Sequence, residues 1–170
     1  MAHKAIAKWK TKAGYKAVMV VDEMGFIKGY VGVTEYHPAF CMGHSMEYVD
    51  IDFIALLRDE MMEVQSAINH IAVHGGLTSS ERGYGEEFDK DRWWFGFKAC
   101  YFGDAPNFDF AKKELWDIMD EHEKAELERE AESYEPNKWK TWKSPDYIRN
   151  ECEELARQLR CIEEIYSFDE

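Results

Sequence analysis

The alternation of apolar and polar positions marks the first elements of the chain. Tyr15 to Val21 (YKAVMVV) is rich in small and β-branched residues and predicts a strand. Asp22-Glu23-Met24-Gly25 supplies a turn, and Phe26 to Thr34 (FIKGYVGVT) predicts a second strand, so the pair forms a hairpin. Gly29 and Gly32 weaken that strand unless it bends or bulges there. His37-Pro38 ends it, because proline cannot donate to a ladder. From about Asp50 to Asn69, Ile54, Leu57, Met61, Val64 and Ile68 recur at spacings of 3, 4, 3 and 4, which predicts an amphipathic helix. His70 to His74 (HIAVH) predicts a short strand that runs into Gly75-Gly76. Thr78 to Lys90 is polar and contains glycine, which predicts a mobile loop. Arg92 to Tyr101 (RWWFGFKACY) carries the strongest strand signal, closed by Gly103-Asp104-Ala105-Pro106-Asn107.

The remainder reads as helical. Asn107 or Asp109 caps a helix reaching about Ser133, with Ala111, Leu115, Ile118, His122 and Ala125 as its stripe. His122 on that stripe is expected to be buried and hydrogen-bonded. From Glu121 to Glu135 charge dominates, so the far end is expected to project into solvent. Tyr134 to Lys143 reads as a connection. Ser144 then caps a final helix with Pro145 in its first turn. Ile148, Cys152, Leu155, Leu159, Ile162 and Tyr166 give that helix a continuous apolar face, which most simply packs on the sheet. The expected fold class is α+β: one domain over 1–170, with a small, mostly antiparallel sheet of three to five strands. About three helices cover it, and a projecting acidic helical insertion spans about 108–135.

Composition adds charge to this picture. The net charge is −13, from 21 basic and 34 acidic residues. Residues 1–80 carry 7 basic and 9 acidic side chains, and residues 81–170 carry 14 and 25, so −11 of the charge lies in the second part. Such a chain is a poor non-specific binder of nucleic acid, because phosphate contacts need Lys and Arg. It suits a basic partner surface, or serves only to keep the protein soluble. Lys4, Lys8, Lys10, Lys12 and Lys16 form a basic start that is expected to fray. No apolar run approaches the length of a membrane span, and the start lacks the apolar stretch of a secretion signal, so a cytosolic setting is expected. Cys41, Cys100, Cys152 and Cys161 form no CxxC pair, which disfavours structural zinc, and Cys152 is expected as a buried thiol.

The segment Val73-His74-Gly75-Gly76-Leu77-Thr78-Ser79-Ser80 places an imidazole, two glycines and three hydroxyl residues at the end of an expected strand. Glycine lets backbone N–H groups approach an anion, and the imidazole can donate to a phosphate or act as acid or base. No Gly-Lys-Ser/Thr follows, so this is not a Walker loop; a tight turn with a satisfied histidine is the plainer reading. Trp93 and Trp94 point to opposite sheet faces, and one of them could stack on a ligand. His37, His44, His70, His74 and His122 show no HxH or HExxH spacing, so no metal is assigned. No GxSxG is present, and no catalytic residue is assigned.

Taken in order, Gly29-Tyr30-Val31-Gly32-Val33, His37-Pro38, the HGGLT segment, Trp93-Trp94-Phe95-Gly96-Phe97, Gly103-Asp104, and Tyr147-Ile148-Arg149-Asn150-Glu151-Cys152 with Leu155-Ala156-Arg157-Gln158-Leu159 resemble a widespread family of small bacteriophage and prophage proteins. The resemblance covers roughly 15–160 and leaves out the acidic helix. The family brings no settled reaction. Where its members tend to read Gly-Phe-Asp and then His, this chain has Lys98 and Tyr101, which removes an acid and an imidazole and favours a binder over an enzyme.

The resemblance and the charge together imply a phage accessory protein in the host cytosol. On this expectation it blunts host defence as anti-CRISPR proteins do, occupying a basic nucleic-acid-binding surface. The expected partner is a host defence protein or its nucleic-acid complex, with neither direct DNA binding nor a membrane. Glu121, Glu123, Glu126, Glu128, Glu130 and Glu132 are the expected partner-binding residues. The alternative is a sponge for a nucleotide-derived signal, using His74, Gly75, Gly76, Thr78, Trp94 and Asp104, with no cofactor. A further alternative is a small metal-assisted hydrolase using His74 and Asp104.

Overall fold

A computed structural model describes residues 2–44 and 59–167. Among these, five strands form one antiparallel sheet and four α-helices accompany it, so the α+β class is as expected. The strands are β1 (His3–Lys10), β2 (Lys16–Asp22), β3 (Ile27–Val33), β4 (Ser79–Glu81) and β5 (Trp93–Lys98), in the order β1-β2-β3-β5-β4. The helices are α1 (Asp59–Asn69), α2 (Phe108–Leu115), α3 (Glu121–Ser133) and α4 (Pro145–Tyr166). The expected helix positions Ile54 and Leu57 lie outside the described residues; Val64 and Ile68 are buried.

The hairpin forms as the pattern predicts. Asp22 closes its turn by accepting from the backbone N–H groups of Met24 at 2.9 Å and Phe26 at 3.1 Å. β3 pairs on both sides without a register shift at its glycines; the register shift falls in β1, between Ala5 and Ala7. The glycines instead admit aromatic rings. A Cβ on Gly32 would lie 2.8 Å from the Trp94 ring, and one on Gly29 would lie 2.5 Å from Phe97.

The basic start does not fray. It is β1, an edge strand, with Lys4, Lys8 and Lys10 exposed and Ile6 and Trp9 turned toward the core. Lysines on an edge discourage pairing with another chain. α4 pins its end: Glu153 accepts from the Trp9 indole at 3.1 Å and from the Lys12 amide at 3.0 Å.

One face of the sheet carries Met19, Val21, Ile27, Val31, Phe95 and Phe97 under the apolar face of α4, where Ile148, Cys152, Leu155, Leu159 and Ile162 are buried. Each fully buried Leu or Ile there contributes about 1.5–3 kcal/mol. The Cys152 thiol is buried as expected, and burial pushes its pKa up. Ser144 caps α4 by accepting from the Tyr147 amide, with Pro145 in the first turn. On the opposite face a smaller cluster forms from Val18, Val20, Tyr30, Phe88 and Trp94, with Tyr84 against it. The segment expected as a mobile loop builds this cover: Ser79–Glu81 pairs with β5, while Tyr84 and Phe88 pack on Tyr30.

Two further expectations are corrected. The segment 70–74 is no strand. Its Ala72 N–H and C=O are taken by the side-chain amide of Gln158 on α4, both at 2.8 Å, which stands in for a ladder neighbour. The long helix after Asn107 is two helices. After Trp116–Ile118 the chain leaves helical geometry at Met119, and Asp120 starts α3 with a capping box to Glu123. The stripe ends there: Ile118, in the 3-10 turn before the break, is exposed, and in the new helix Leu127 is buried while His122 and Ala125 are exposed. His122 lies 3.3 Å from Glu126 in solvent, not in a core. No helix among the described residues is long and apolar enough to cross a membrane.

Candidate functional site

Two distant segments and one helix end meet at His74. The chain from Gly103 to Ala105 lies alongside Thr141: the Thr141 amide donates to the Gly103 carbonyl at 3.0 Å, and the Ala105 amide donates to the Thr141 carbonyl at 2.9 Å. Trp142 anchors this strap by donating its indole N–H to the Gly25 carbonyl at 2.8 Å. The strap delivers Lys143, and α4 delivers Tyr147 from its first turn. Gln158, 11 residues further along α4, lies about three turns away on the same face. The same helix therefore grips Ala72 and sets Tyr147 beneath His74.

Asp104 is the centre of the cluster and is 3% exposed. Its Oδ2 accepts from His74 Nε2 at 2.8 Å and from the Tyr101 amide at 2.9 Å, and Lys143 Nζ lies 3.0 Å from its Oδ1. Burial pushes the Asp104 pKa up, but the Tyr101, His74 and Lys143 hydrogen bonds outweigh that effect and hold it below the usual carboxylate range. A carboxylate only accepts, so His74 Nε2 carries a proton. Nδ1, 2.9 Å from the Tyr147 hydroxyl, then accepts from that hydroxyl when the ring is neutral and donates to it when the ring is charged. Burial, then the Glu151 and Asp104 charges, push the Tyr147 phenol pKa up, so the neutral hydroxyl is the resting form.

Aromatic rings wall the cluster. Tyr147 stands perpendicular to His74 at 5.5 Å, and Tyr101 lies 6.2 Å from it. Gly75 has φ +70°, and a Cβ there would sit 2.0 Å from the Tyr101 ring, so only glycine fits. Gly76 has φ +79°, and its amide donates to the Val73 carbonyl at 2.9 Å. Nothing lies within 4 Å of a Cβ built on Gly76, so that side is open. Lys98 Nζ is 5.9 Å from the Tyr101 ring, and Lys143 Nζ is 5.9 Å from the Tyr147 ring.

Of the expected ligand residues, His74, Gly75, Gly76 and Asp104 come together. Thr78 does not join them: its amide bonds the Gly96 carbonyl at 2.8 Å as the chain enters the sheet edge. Trp94 is corrected as a stacking residue, because it sits on the other sheet face, 1% exposed. Its ring packs on Phe88 at 5.0 Å, and its indole N–H is donated to the Asp89 carbonyl. Trp93 on the near face donates to the Met42 carbonyl and is partly buried. Tyr147 and Lys143 are the members that sequence reasoning missed.

The acidic residues of α3 are interleaved with cations. Glu121 lies 3.6 Å from Lys124, Glu126 lies 3.8 Å from Arg129, and Glu128 lies 3.8 Å from Lys112. Glu123 closes the capping box, while Glu130 and Glu132 are exposed. Between α3 and the hairpin turn runs a cleft of about 410 Å³, floored by Met24, Phe108 and Leu127. Among the described residues no three His, Cys, Asp or Glu side chains converge as metal ligands.

Comparison with family models, with curated proteins and with solved structures finds no match.

Proposed function

We propose that the protein binds a small phosphate-bearing ligand of the nucleotide class at His74 and holds it without turning it over. The observation that carries this reading is the charge arrangement. One carboxylate, Asp104, has both oxygens occupied, so it presents little negative charge outward. Around it stand Lys143, the His74 imidazole and, beyond Tyr101, Lys98. A phosphate arriving here meets cations and O–H and N–H donors. Asp104 orients the ring so that its Nδ1 side faces the partly exposed Tyr147 hydroxyl. Lys98 and Tyr101, which replace the acid and imidazole of the resembled family, favour holding an anion over activating water.

A thermal-shift panel of cyclic and linear nucleotides tests this. Ligand at 100 times its dissociation constant adds about 2.7 kcal/mol to stability. A shift that is lost in His74→Ala supports the reading. No shift across the panel, or a shift unchanged in His74→Ala, removes it. Hydrolysis of a nucleotide would replace the binder with the hydrolase.

A second reading rests on the cleft beside α3. Glu23, Glu126 and Glu130 line it around the apolar floor, outnumbering Arg129, with His122 beside them. Burial and the nearby Asp22, Glu123 and Glu126 charges push the Glu23 carboxyl pKa up, as a negative field would. Such a cleft suits a basic side chain of a partner, including the nucleic-acid-binding surface of a host defence nuclease in a phage-infected cell. A pull-down at low and high salt tests it; association that ignores salt contradicts an electrostatic contact.

A further inference from the structure

Among the described residues, four of the five exposed large aromatics, Tyr101, Phe102, Trp139 and Tyr147, lie beside the site, the fifth being Tyr36. Phe102 is 80% exposed and Trp139 is 50% exposed, and their rings meet at 4.4 Å. Lys140 Nζ lies 5.8 Å from the Phe102 ring and 5.5 Å from the Trp139 ring. The strap that carries Trp139, residues 136–145, holds Lys138, Lys140 and Lys143 and no acid, in a chain of net charge −13. Lys138 and Lys140 form no ion pair among the described residues, while Lys143 is tied to Asp104. Two rings left facing water, with unpaired ammonium groups over and beside them, are what a stacked base and its phosphates require.

We infer that Phe102 and Trp139 form a stacking platform for single-stranded nucleic acid, with Lys138 and Lys140 on its phosphates. Phe102 is two residues from Asp104, a reach of at most about 7 Å between Cα atoms, so a base on the platform places its neighbouring phosphate toward His74. This rests on the phosphate reading of the His74 site and deepens it by naming the ligand class. It also qualifies the expectation of no direct nucleic-acid binding: the net charge repels duplex generally, but this strap is locally basic.

The experiment is fluorescence anisotropy of a short labelled oligothymidylate titrated with the full chain, beside anionic phosphatidylserine vesicles as a competing polyanion. Saturable binding is expected, with a slope of log K against log salt of about −1.4, from two unpaired lysines at ~0.7 per phosphate contacted. Trp139→Ala is expected to weaken binding about tenfold or more, and Phe102→Ala by a similar factor. Both rings are exposed, so both variants should melt with the parent, which circular dichroism checks. Absence of saturable binding at low salt, an unchanged affinity in Trp139→Ala, or a preference for vesicles overturns the platform. Failure of the His74 reading has a different signature: His74→Ala binds oligothymidylate and mononucleotide as the parent does, while Trp139→Ala still weakens the oligonucleotide.

Discussion

His37 and His74 each engage both ring nitrogens, yet their surroundings differ in kind. His37 is 3% exposed; Nε2 donates to the Leu159 carbonyl at 2.8 Å, and Nδ1 accepts from the Ala39 amide at 3.0 Å. Both partners are backbone groups, which cannot change protonation, so the ring is locked as one neutral tautomer. Burial pushes its pKa down, against the Leu159 hydrogen bond and the Glu163 charge. His74 is tied to a buried carboxylate and a partly exposed phenol, side-chain groups that can trade protons as backbone groups cannot. The first arrangement fastens the chain after β3 to α4. The second presents donors and cations to whatever approaches. Hydrogen bonds at both ring nitrogens do not by themselves mark a structural histidine; the chemistry of the partners does.

Substitutions can separate the two. His37→Ala leaves the Ala39 amide without its acceptor and removes the ring packed edge-on to Tyr15. Its expected cost is about 3 kcal/mol in denaturant unfolding, with oligonucleotide and nucleotide binding unchanged per folded molecule. Asp104→Asn is expected to cost about 2 kcal/mol, because it weakens the bonds to His74 and Lys143 while the buried amide keeps its volume. It should weaken nucleotide binding as well, since the imidazole loses its orientation. An Asp104→Asn protein that bound as the parent does would show that the ring needs no such support.

The pH dependence sharpens the contrast. The folded His37 resists a proton that the unfolded chain accepts below about pH 6.5. Stability therefore falls as pH drops below that value, by at most about 1.4 kcal/mol per pH unit from this group. Asp104 acts in another window: its folded pKa is depressed, so its contribution is present above the unfolded carboxylate value and is lost only as pH falls through the folded one. Urea melts at pH 7.5 and 5.5 should resolve the His37 loss, and melts carried on from pH 4 to pH 2 that of Asp104; a flat profile between 7.5 and 5.5 would contradict the locked tautomer. The smallest expected effect on stability is that of His74→Ala, about 1 kcal/mol, since Asp104 keeps Lys143 and the Tyr101 amide.

The sheet and α4 were legible because their apolar residues repeat at fixed periods. β1 was not, because its Lys residues mask an alternation that only an edge strand tolerates. The break at Met119-Asp120 was hidden by a stripe that continued in sequence through His122, although Asp120 three residues before Glu123 is a capping pattern. At the site, the His-Gly-Gly segment and Asp104 were visible as residues capable of chemistry. Tyr147 and Lys143 were not, since nothing local in the sequence says that the strap 138–143 lies beside Gly103. Lysines and aromatics interleaved over 138–143 were the available signal. Trp94 misled, because two adjacent tryptophans on a strand look alike until the far-face cluster claims one.

The central claim is that His74, and not His37, meets the ligand. Imidazole ¹H–¹⁵N spectra recorded with and without saturating nucleotide test this directly. The account predicts that the His74 ring signals move on titration while those of His37 stay fixed in the neutral tautomer; a titration in which His74 stays still contradicts it.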